Sequence, residues 1–208
     1  MIVSASHRVL FVHVQKTGGL TVQAALKTAV EDAVEPSGLP DGRHARLDAA
    51  LAAHPDWADY FTFGFVRNPW ARMYSWHAMI MRRKAAAEAG NKAMARRVAN
   101  MEFWARVAAD MTDFETFVAQ GPEEFERLRT PQVDYLTAGD RRADVIGRTE
   151  RLDDDLADVF TRLGLEPPAR EQRNAGPPTD YRSHYTPAMR DRVGELFAAD
   201  VEAFGYEF

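Results

Sequence analysis

The sequence has no cysteine among its 208 residues. Disulfide bonds, thiolate nucleophiles and cysteine-ligated metal sites are therefore excluded, and the absence agrees with a cytoplasmic location. Long apolar runs are missing as well, since the first run, at residues 9–12, is far too short to cross a bilayer. No small-residue cleavage site follows it. We therefore expect a cytoplasmic protein without a membrane span.

Lysine is scarce whereas arginine and alanine are abundant, which we interpret as a bacterial composition. The net charge of -5 argues against general nucleic-acid binding, because a phosphate backbone favours an excess of Lys and Arg. A length of 208 residues with 46% hydrophobic content suits one domain with a sizeable core. The sequence therefore predicts a single domain over residues 1–208.

Short β-prone apolar segments alternate with segments whose apolar residues recur at helical spacing. The predicted strands lie at 8–14, 60–66 and 144–147, and the predicted helices lie at 22–34, 47–53, 70–98, 113–119, 153–163 and 187–204. Gly90-Asn91 should break the long third helix. This alternation predicts the α/β class, with a mostly parallel sheet flanked by helices. Residues 79–125 form a helical lid in this prediction.

The first predicted strand leads through a glycine turn into the first helix. Glycines let the backbone approach an anion closely, and the N–H groups at the start of a helix carry partial positive charge. Lysine adds a full charge, and threonine hydroxyls add donors. The segment therefore predicts a phosphate-binding loop made of Lys16, Thr17, Gly18, Gly19, Leu20 and Thr21.

This loop differs from the common nucleotide-binding pattern, in which a glycine and four residues precede Gly-Lys-Ser/Thr. Here the lysine comes before the glycines. A kinase also needs a carboxylate at a strand end to hold magnesium, whereas the second predicted strand ends at Arg67. Both departures favour a donor that is handled without a metal.

A second phosphate site is predicted where the second strand ends, because open α/β sheets bind ligands at the carboxyl ends of their strands. Arg67 offers a fixed fork of donors that suits a phosphate. Pro69 is well placed to open the next helix, and Ser75 follows about two turns later. Arg67 and Ser75 can therefore face the same crevice.

Together, Lys16-Thr17-Gly18-Gly19 and Arg67-Asn68-Pro69 with Ser75 resemble the carbohydrate sulfotransferase family. The resemblance implies an architecture like that of P-loop kinases and the donor 3′-phosphoadenosine 5′-phosphosulfate (PAPS), with 3′-phosphoadenosine 5′-phosphate (PAP) as product. It assigns the glycine loop to the 5′-phosphate, and Arg67 and Ser75 to the 3′-phosphate. Lys16 would neutralise charge that grows on the bridging oxygen.

Later segments extend the resemblance over most of the chain. Residues 145–152 followed by Asp155 resemble a late strand and helix of the family, and residues 196–206 resemble its C-terminal helix. Leu20 departs from the pattern, because the family more often has a hydroxyl residue there. Residues that resemble late nucleotide contacts of the family are Asn174, Tyr181 and Arg182.

His44 is the predicted general base. The segment Gly42-Arg43-His44 resembles the Gly-His segment that carries the presumed base in part of the family. Histidine suits this role, because its ordinary pKa of about 6.5 leaves neutral imidazole near pH 7. His13 and His77 lie on segments that we expect to be packed, and His184 is the alternative base.

The sequence thus predicts a sulfotransferase that moves a sulfuryl group from PAPS to a hydroxyl of a carbohydrate or other small acceptor, by in-line displacement and without a metal. One alternative is an ATP-dependent small-molecule kinase on the same architecture. The other is a non-catalytic module that binds the bisphosphate nucleotide. The sequence identifies neither the acceptor nor the oligomeric state, since variable loops line acceptor pockets.

Overall fold

A computed structural model describes residues 1–166 and 180–208 of the chain. These residues form two compact units. The first unit comprises residues 1–67 and 132–166 of the described part, and the second comprises residues 68–131 and 180–208. The single domain over residues 1–208 and its lid at 79–125 stay predictions.

The first unit is built on a four-stranded sheet. Its strands are β1 (Ile2–Ser4), β2 (Val9–Val12), β3 (Phe61–Val66) and β6 (Val145–Arg148), in the order β1-β2-β3-β6. β1 is antiparallel to β2, whereas β2, β3 and β6 run parallel. A short hairpin of β4 (Thr137–Ala138) and β5 (Arg141–Arg142) forms a second sheet. The predicted α/β class with a mostly parallel sheet is therefore confirmed.

Helices flank this sheet, as predicted. They are α1 (Gly19–Ala29), α2 (Leu47–Ala53), α8 (Gln132–Tyr135) and α9 (Leu152–Arg162). Residues of α1 and α9 pack with alternate strand residues into one apolar core, because a parallel sheet must bury the faces that its crossover helices cover. The fully buried core aromatics include Phe11, Phe63, Phe65 and Phe160. Truncating one such phenylalanine to alanine costs about 3–5 kcal/mol.

The second unit is helical in its described part. It contains α3 (Pro69–Glu88), α4 (Lys92–Ala99), α5 (Glu102–Asp110), α6 (Phe114–Glu124), α7 (Glu126–Arg129), α10 (Pro187–Leu196) and α11 (Ala198–Phe204). Asn68 caps α3, since its side chain accepts from the N–H groups of Trp70 and Ala71. Gly90, with a φ of 93°, separates α3 from α4 at the predicted break.

Helix boundaries follow the capping residues more closely than the apolar periodicity. Asp113, the first residue of the predicted helix at 113–119, caps α6 by accepting from the Thr116 N–H at 2.8 Å. The predicted last helix is two helices, because the backbone at Phe197 leaves the helical region. Among residues 1–166 and 180–208, no helix is both long and apolar enough to traverse a bilayer.

Candidate functional site

The loop between β2 and α1 has an unusual backbone. Lys16 and Gly18 both adopt the left-handed conformation, with φ of 71° and 78°. Glycine adopts it without cost, whereas a lysine pays about 1–2 kcal/mol. Such strain persists where the surrounding structure imposes it, and it concentrates at functional sites. The only lysine of this loop is therefore held in a costly conformation.

Helix α1 begins at this loop without an acidic residue in its first turn. Its N-cap is Gly18, which supplies no side-chain hydrogen bond. The Thr21 N–H turns inward to the Gly18 carbonyl at 2.9 Å. Because the first N–H groups of a helix lack intrahelical acceptors and carry partial positive charge, this end suits an anion.

Two loop residues point in opposite directions. Thr17 is fully buried, and its hydroxyl donates to the Val14 carbonyl at 2.9 Å. The hydroxyl therefore closes the turn, and what Thr17 can offer to a phosphate is its backbone N–H. The Leu20 side chain is half exposed, so this residue also contributes through its backbone in the first turn of α1.

A Cβ atom at either glycine of the loop would meet a neighbouring side chain at less than 3 Å. A Cβ on Gly18 would lie 2.8 Å from Leu152 Cδ2, and one on Gly19 would lie 2.1 Å from His13 Cδ2. Leu152 belongs to the late segment that resembles the family. Packing against the His13 ring thus requires a glycine at position 19, and the left-handed backbone favours one at position 18.

Arg67 directly follows β3 and lies beside the loop. Its Nη1 is 3.5 Å from the Lys16 carbonyl oxygen, at the outer limit of a hydrogen bond. The carboxyl ends of β2 and β3 are neighbours because these strands are parallel, which brings two cationic side chains to one edge of the sheet. Arg148 ends the next parallel strand at the same edge, and it was not singled out from the sequence.

His44 is held by a main-chain contact to the segment that precedes the loop. It ends a 3₁₀ turn at Gly42–His44, and its Nδ1 lies 3.0 Å from the His13 carbonyl oxygen. A carbonyl only accepts, so Nδ1 carries the proton in this contact and Nε2 is the unprotonated nitrogen of the neutral ring. This tautomer is the one that leaves Nε2 basic.

His13 is a buried neighbour of His44. The residue is 4% exposed, and its ring stands edge-on to the His44 ring, with 4.6 Å between the centroids. Burial lowers the pKa of His13 to about 2, and the neighbouring His44 adds to this effect. His13 is therefore neutral near pH 7. The predicted packing of His13 is confirmed, as is that of His77, which is also buried.

The sequence model of the sulfotransferase family matches residues 1–207. The chain belongs to the sulfotransferase family. Neither the curated proteins nor the solved structures include a significant match to it. The membership agrees with the family that the glycine loop and Arg67 resemble, and it supports a sulfotransferase activity. It covers both units and both predicted phosphate motifs.

The remaining predicted residues that the structure describes lie in the second unit. Ser75 lies on α3 in the second unit and is partly exposed. Tyr181 and Arg182 share a 3₁₀ turn at Tyr181–His184, with the Arg182 guanidinium 4.8 Å from the centre of the Tyr181 ring. His184 stacks on Tyr74, and its Nε2 lies 3.1 Å from the Tyr74 hydroxyl. Asn174 lies outside the described residues.

Two polar residues that the sequence did not single out hold the end of β3. Gln132 contacts the main chain of Arg67, and Thr149 donates its hydroxyl to the Val66 carbonyl at 3.0 Å. Thr149 lies in the late segment that resembles the family, which could have marked it. Gln132 follows Pro131 in a segment without a recognised motif, so local sequence offered no signal.

Proposed function

We propose that this sulfotransferase uses PAPS as its donor and transfers the sulfuryl group to a hydroxyl of a carbohydrate or another small acceptor. The observation that carries the proposal is the juxtaposition of Lys16, held at positive φ, with the uncapped start of α1 and with Arg67. A donor with two phosphate groups needs two anion sites, and these cationic groups supply them within one unit.

Each phosphate has its own proposed partners. The backbone of residues 17–21 and the Lys16 ammonium bind the 5′-phosphate at the start of α1, where helix charge and N–H groups favour an anion. Arg67 binds the 3′-phosphate, with Ser75 as the second residue that the family resemblance assigns to it. We also propose that the strand–loop–helix of β2 and α1 is the counterpart of a P-loop, with lysine placed before the glycines.

The proposed reaction is an in-line displacement at sulfur. His44 Nε2 takes the proton of the acceptor hydroxyl, whose oxygen forms the new S–O bond. The bond between sulfur and the bridging phosphate oxygen breaks, and Lys16 stabilises the charge that remains on that oxygen of PAP. Catalysis then rests on positioning and charge stabilisation by residues of this chain.

Calorimetric titration with PAP and with 5′-AMP tests the donor. PAP should bind far more tightly, and Arg67→Ala should raise the Kd of PAP about tenfold or more, which corresponds to the about 1.5–3 kcal/mol of a hydrogen bond to a charged group. Arg162→Ala, an exposed arginine at the end of α9, is the matched control. Equal affinities for PAP and 5′-AMP would reject a 3′-phosphate site at Arg67.

Two activity assays test the rest of the proposal. Turnover should persist in EDTA, and a strict requirement for magnesium would favour the kinase alternative. His44→Ala should lower the maximal rate by about 10²–10⁴-fold, the range for a lost general base, with little change in the Kd of PAP. If His44→Ala turns over normally on the true acceptor, the base lies elsewhere, and His184→Ala becomes the next variant.

A further inference from the structure

Gln132 holds both main-chain groups of Arg67. The Arg67 N–H donates to Gln132 Oε1 at 2.9 Å, and Gln132 Nε2 donates to the Arg67 carbonyl at 2.8 Å. This exchange of two hydrogen bonds is the pattern that a paired residue makes in an antiparallel ladder. Gln132 is fully buried, although glutamine is a residue type usually found at the surface. Its amide therefore continues the pairing of β3 by one residue.

The contact reaches across a long stretch of sequence, since Gln132 and Arg67 are 65 positions apart. The residue before Arg67 is also held, because Thr149 donates to the Val66 carbonyl and Val66 pairs with Arg148 of β6. The last residue of β3 and the residue after it are thus fixed by two separate segments, at Gln132 and at Arg148-Thr149. Breaking the hydrogen bonds of a buried amide is costly, because it leaves polar groups without partners where water cannot reach them.

The fixed backbone determines where the Arg67 guanidinium can go. An arginine side chain is long, so a small rotation of its backbone becomes a large displacement at its tip. Misplacing a binding group by about 1 Å is enough to forfeit much of its effect. The Arg67 guanidinium lies beside the Lys16 carbonyl, at the edge of the sheet where the glycine loop lies.

We propose that Gln132 is a positioning residue that holds the Arg67 backbone so that its guanidinium meets the 3′-phosphate, and thereby sets the preference for 3′-phosphorylated nucleotides. The inference rests on the proposed function, because it assumes that Arg67 binds this phosphate. Gln132 acts through Arg67 and touches no substrate. Its loss should therefore weaken recognition of one phosphate and leave the glycine loop unaffected.

The test measures the Kd of PAP and of 5′-AMP for three variants of the full chain. Gln132→Met keeps the length of the side chain and removes both hydrogen bonds. Gln132→Glu keeps an acceptor for the Arg67 N–H but cannot donate to its carbonyl when ionised. Thr130→Val is the matched control, because it removes a buried hydroxyl that donates to the Glu126 carbonyl in the second unit.

Gln132→Met should raise the Kd of PAP about tenfold and change that of 5′-AMP by less than about twofold. Gln132→Glu should fall between Gln132→Met and the unaltered protein, and Thr130→Val should leave the ratio of the two affinities unchanged. Equal losses for both nucleotides would overturn the proposal, since they would mark Gln132 as a general structural support. Unchanged affinities in Gln132→Met would overturn it as well.

A double-mutant cycle separates the two proposals and also covers poor folding of Gln132→Met, because Gln132→Glu can take its place. In the Arg67→Ala background, changing Gln132 should have no further effect on the Kd of PAP. An effect of the same size in both backgrounds would overturn the positioning role while leaving the 3′-phosphate site intact. If Arg67→Ala itself leaves the Kd of PAP unchanged, the 3′-phosphate site fails, and the role of Gln132 fails with it.

Discussion

The surroundings of the glycine loop, in the first unit, differ from the aromatic cluster of the second unit in the kind of contact that fixes the side chains. In the first unit, side chains bond to main-chain groups around the site, as Thr17 does to Val14 and Gln132 does to Arg67. In the second unit, rings and guanidinium groups pack on each other, as in Trp76 with Phe103, whose ring centroids are 5.4 Å apart.

This difference predicts different responses to mutation. A hydrogen bond to the main chain is directional and short, so it fixes atoms within a few tenths of an ångström. Ring contacts are favourable over a range of offsets and distances, so they tolerate small shifts. Substitutions at the site in the first unit should therefore cause large losses of activity or stability, whereas those in the helical unit should cause small ones.

Among the variants that test this comparison, the largest effect should come from Lys16→Asn. Asparagine tolerates a positive φ, so the loop conformation should survive while the charge is lost. We expect the rate of the chemical step to fall by about 10²–10³-fold, the range for removing one group that stabilises developing charge. Single-turnover kinetics measure the rate of the chemical step, and a titration with PAP measures the Kd of the nucleotide separately.

The control for this variant is Lys27→Asn, which removes an exposed lysine from the last turn of α1. Lys27→Asn should turn over normally. If the Kd of PAP in Lys16→Asn accounted for the whole loss of activity, Lys16 would be a binding residue with no separate role in the chemical step.

The next effect compares one glycine from each unit. Gly19→Ala should destabilise the protein by about 1–3 kcal/mol, the usual cost of overpacking, because its Cβ would collide with the His13 ring. A Cβ on Gly194, within α10, lies 3.2 Å from Trp70 Cζ2. The favourable helix propensity of alanine, about 1 kcal/mol, offsets this tight contact. Chemical denaturation should show Gly194→Ala within about 1 kcal/mol of the unaltered protein.

A double variant tests the cause of this difference. Gly19→Ala combined with His13→Ala should lose less stability than the sum of the two single changes, with a coupling of about 0.5–3 kcal/mol. Strict additivity would show that the His13 ring is not what excludes a side chain at position 19.

The buried His13 should leave a signature in the dependence of stability on pH. Its folded pKa is lowered from 6.5 to about 2, chiefly by burial, so the unfolded chain binds the proton more readily. Neutral His13 therefore contributes to the unfolding free energy. The contribution is fully present above pH 6.5 and is lost as the pH falls toward 2, by about 1.4 kcal/mol per pH unit. His13→Asn should reduce the slope of unfolding free energy between pH 6 and about pH 4.

The slope is the measured quantity here, so a change in packing from His13→Asn does not obscure it. Some slope should remain in the variant, because burial also lowers the pKa of His77. A variant with the full slope of the unaltered protein would show that His13 accepts a proton in the folded state.

The smallest effect should come from the helical unit. The Arg83 guanidinium lies 3.8 Å from the centre of the Trp104 ring, and that of Arg97 lies 5.4 Å from it. Burial, then the like charges of Arg97 and Arg82, lowers the pKa of Arg83. A favourable contact of about 0.5–2 kcal/mol is therefore offset by desolvation and repulsion.

Arg83→Met should thus change the unfolding free energy by less than about 1 kcal/mol. Salt screens the repulsion between the guanidinium groups, so added NaCl should stabilise the unaltered protein more than the variant. Urea denaturation at low and high salt measures both. A loss of several kcal/mol in Arg83→Met would show that this contact is as stringent as those around the loop.

Much of the fold could be predicted from periodicity and capping residues. β3, α2 and the cap of α6 lie where the sequence places them. β1 was not predicted, because three residues are too few to show alternation. The start of α1 was placed at residue 22, where its apolar spacing begins, whereas the left-handed Gly18 starts the helix at Gly19.

The candidate site was predicted in part for a related reason. Lys16 and Arg67 each follow a predicted strand, and the carboxyl ends of neighbouring parallel strands lie at one edge of the sheet. Their proximity therefore follows from local patterns and one topological rule. The role of Gln132 follows from neither the local patterns nor the topological rule. Its contact with Arg67 depends on how the chain returns to the first unit at residue 132, after residues 68–131 of the second unit.

The sequence by itself determined the α/β class, the family resemblance, the glycine loop and the arginine at the strand end, since these depend on local spacing and residue type. The tertiary structure decided that the Thr17 hydroxyl turns inward, that the His44 ring bonds through Nδ1, and that Gln132 holds Arg67. Each of these is a hydrogen bond between a side chain and the main chain. The direction of such a bond is set by the packing around both partners, which no local pattern of residues encodes.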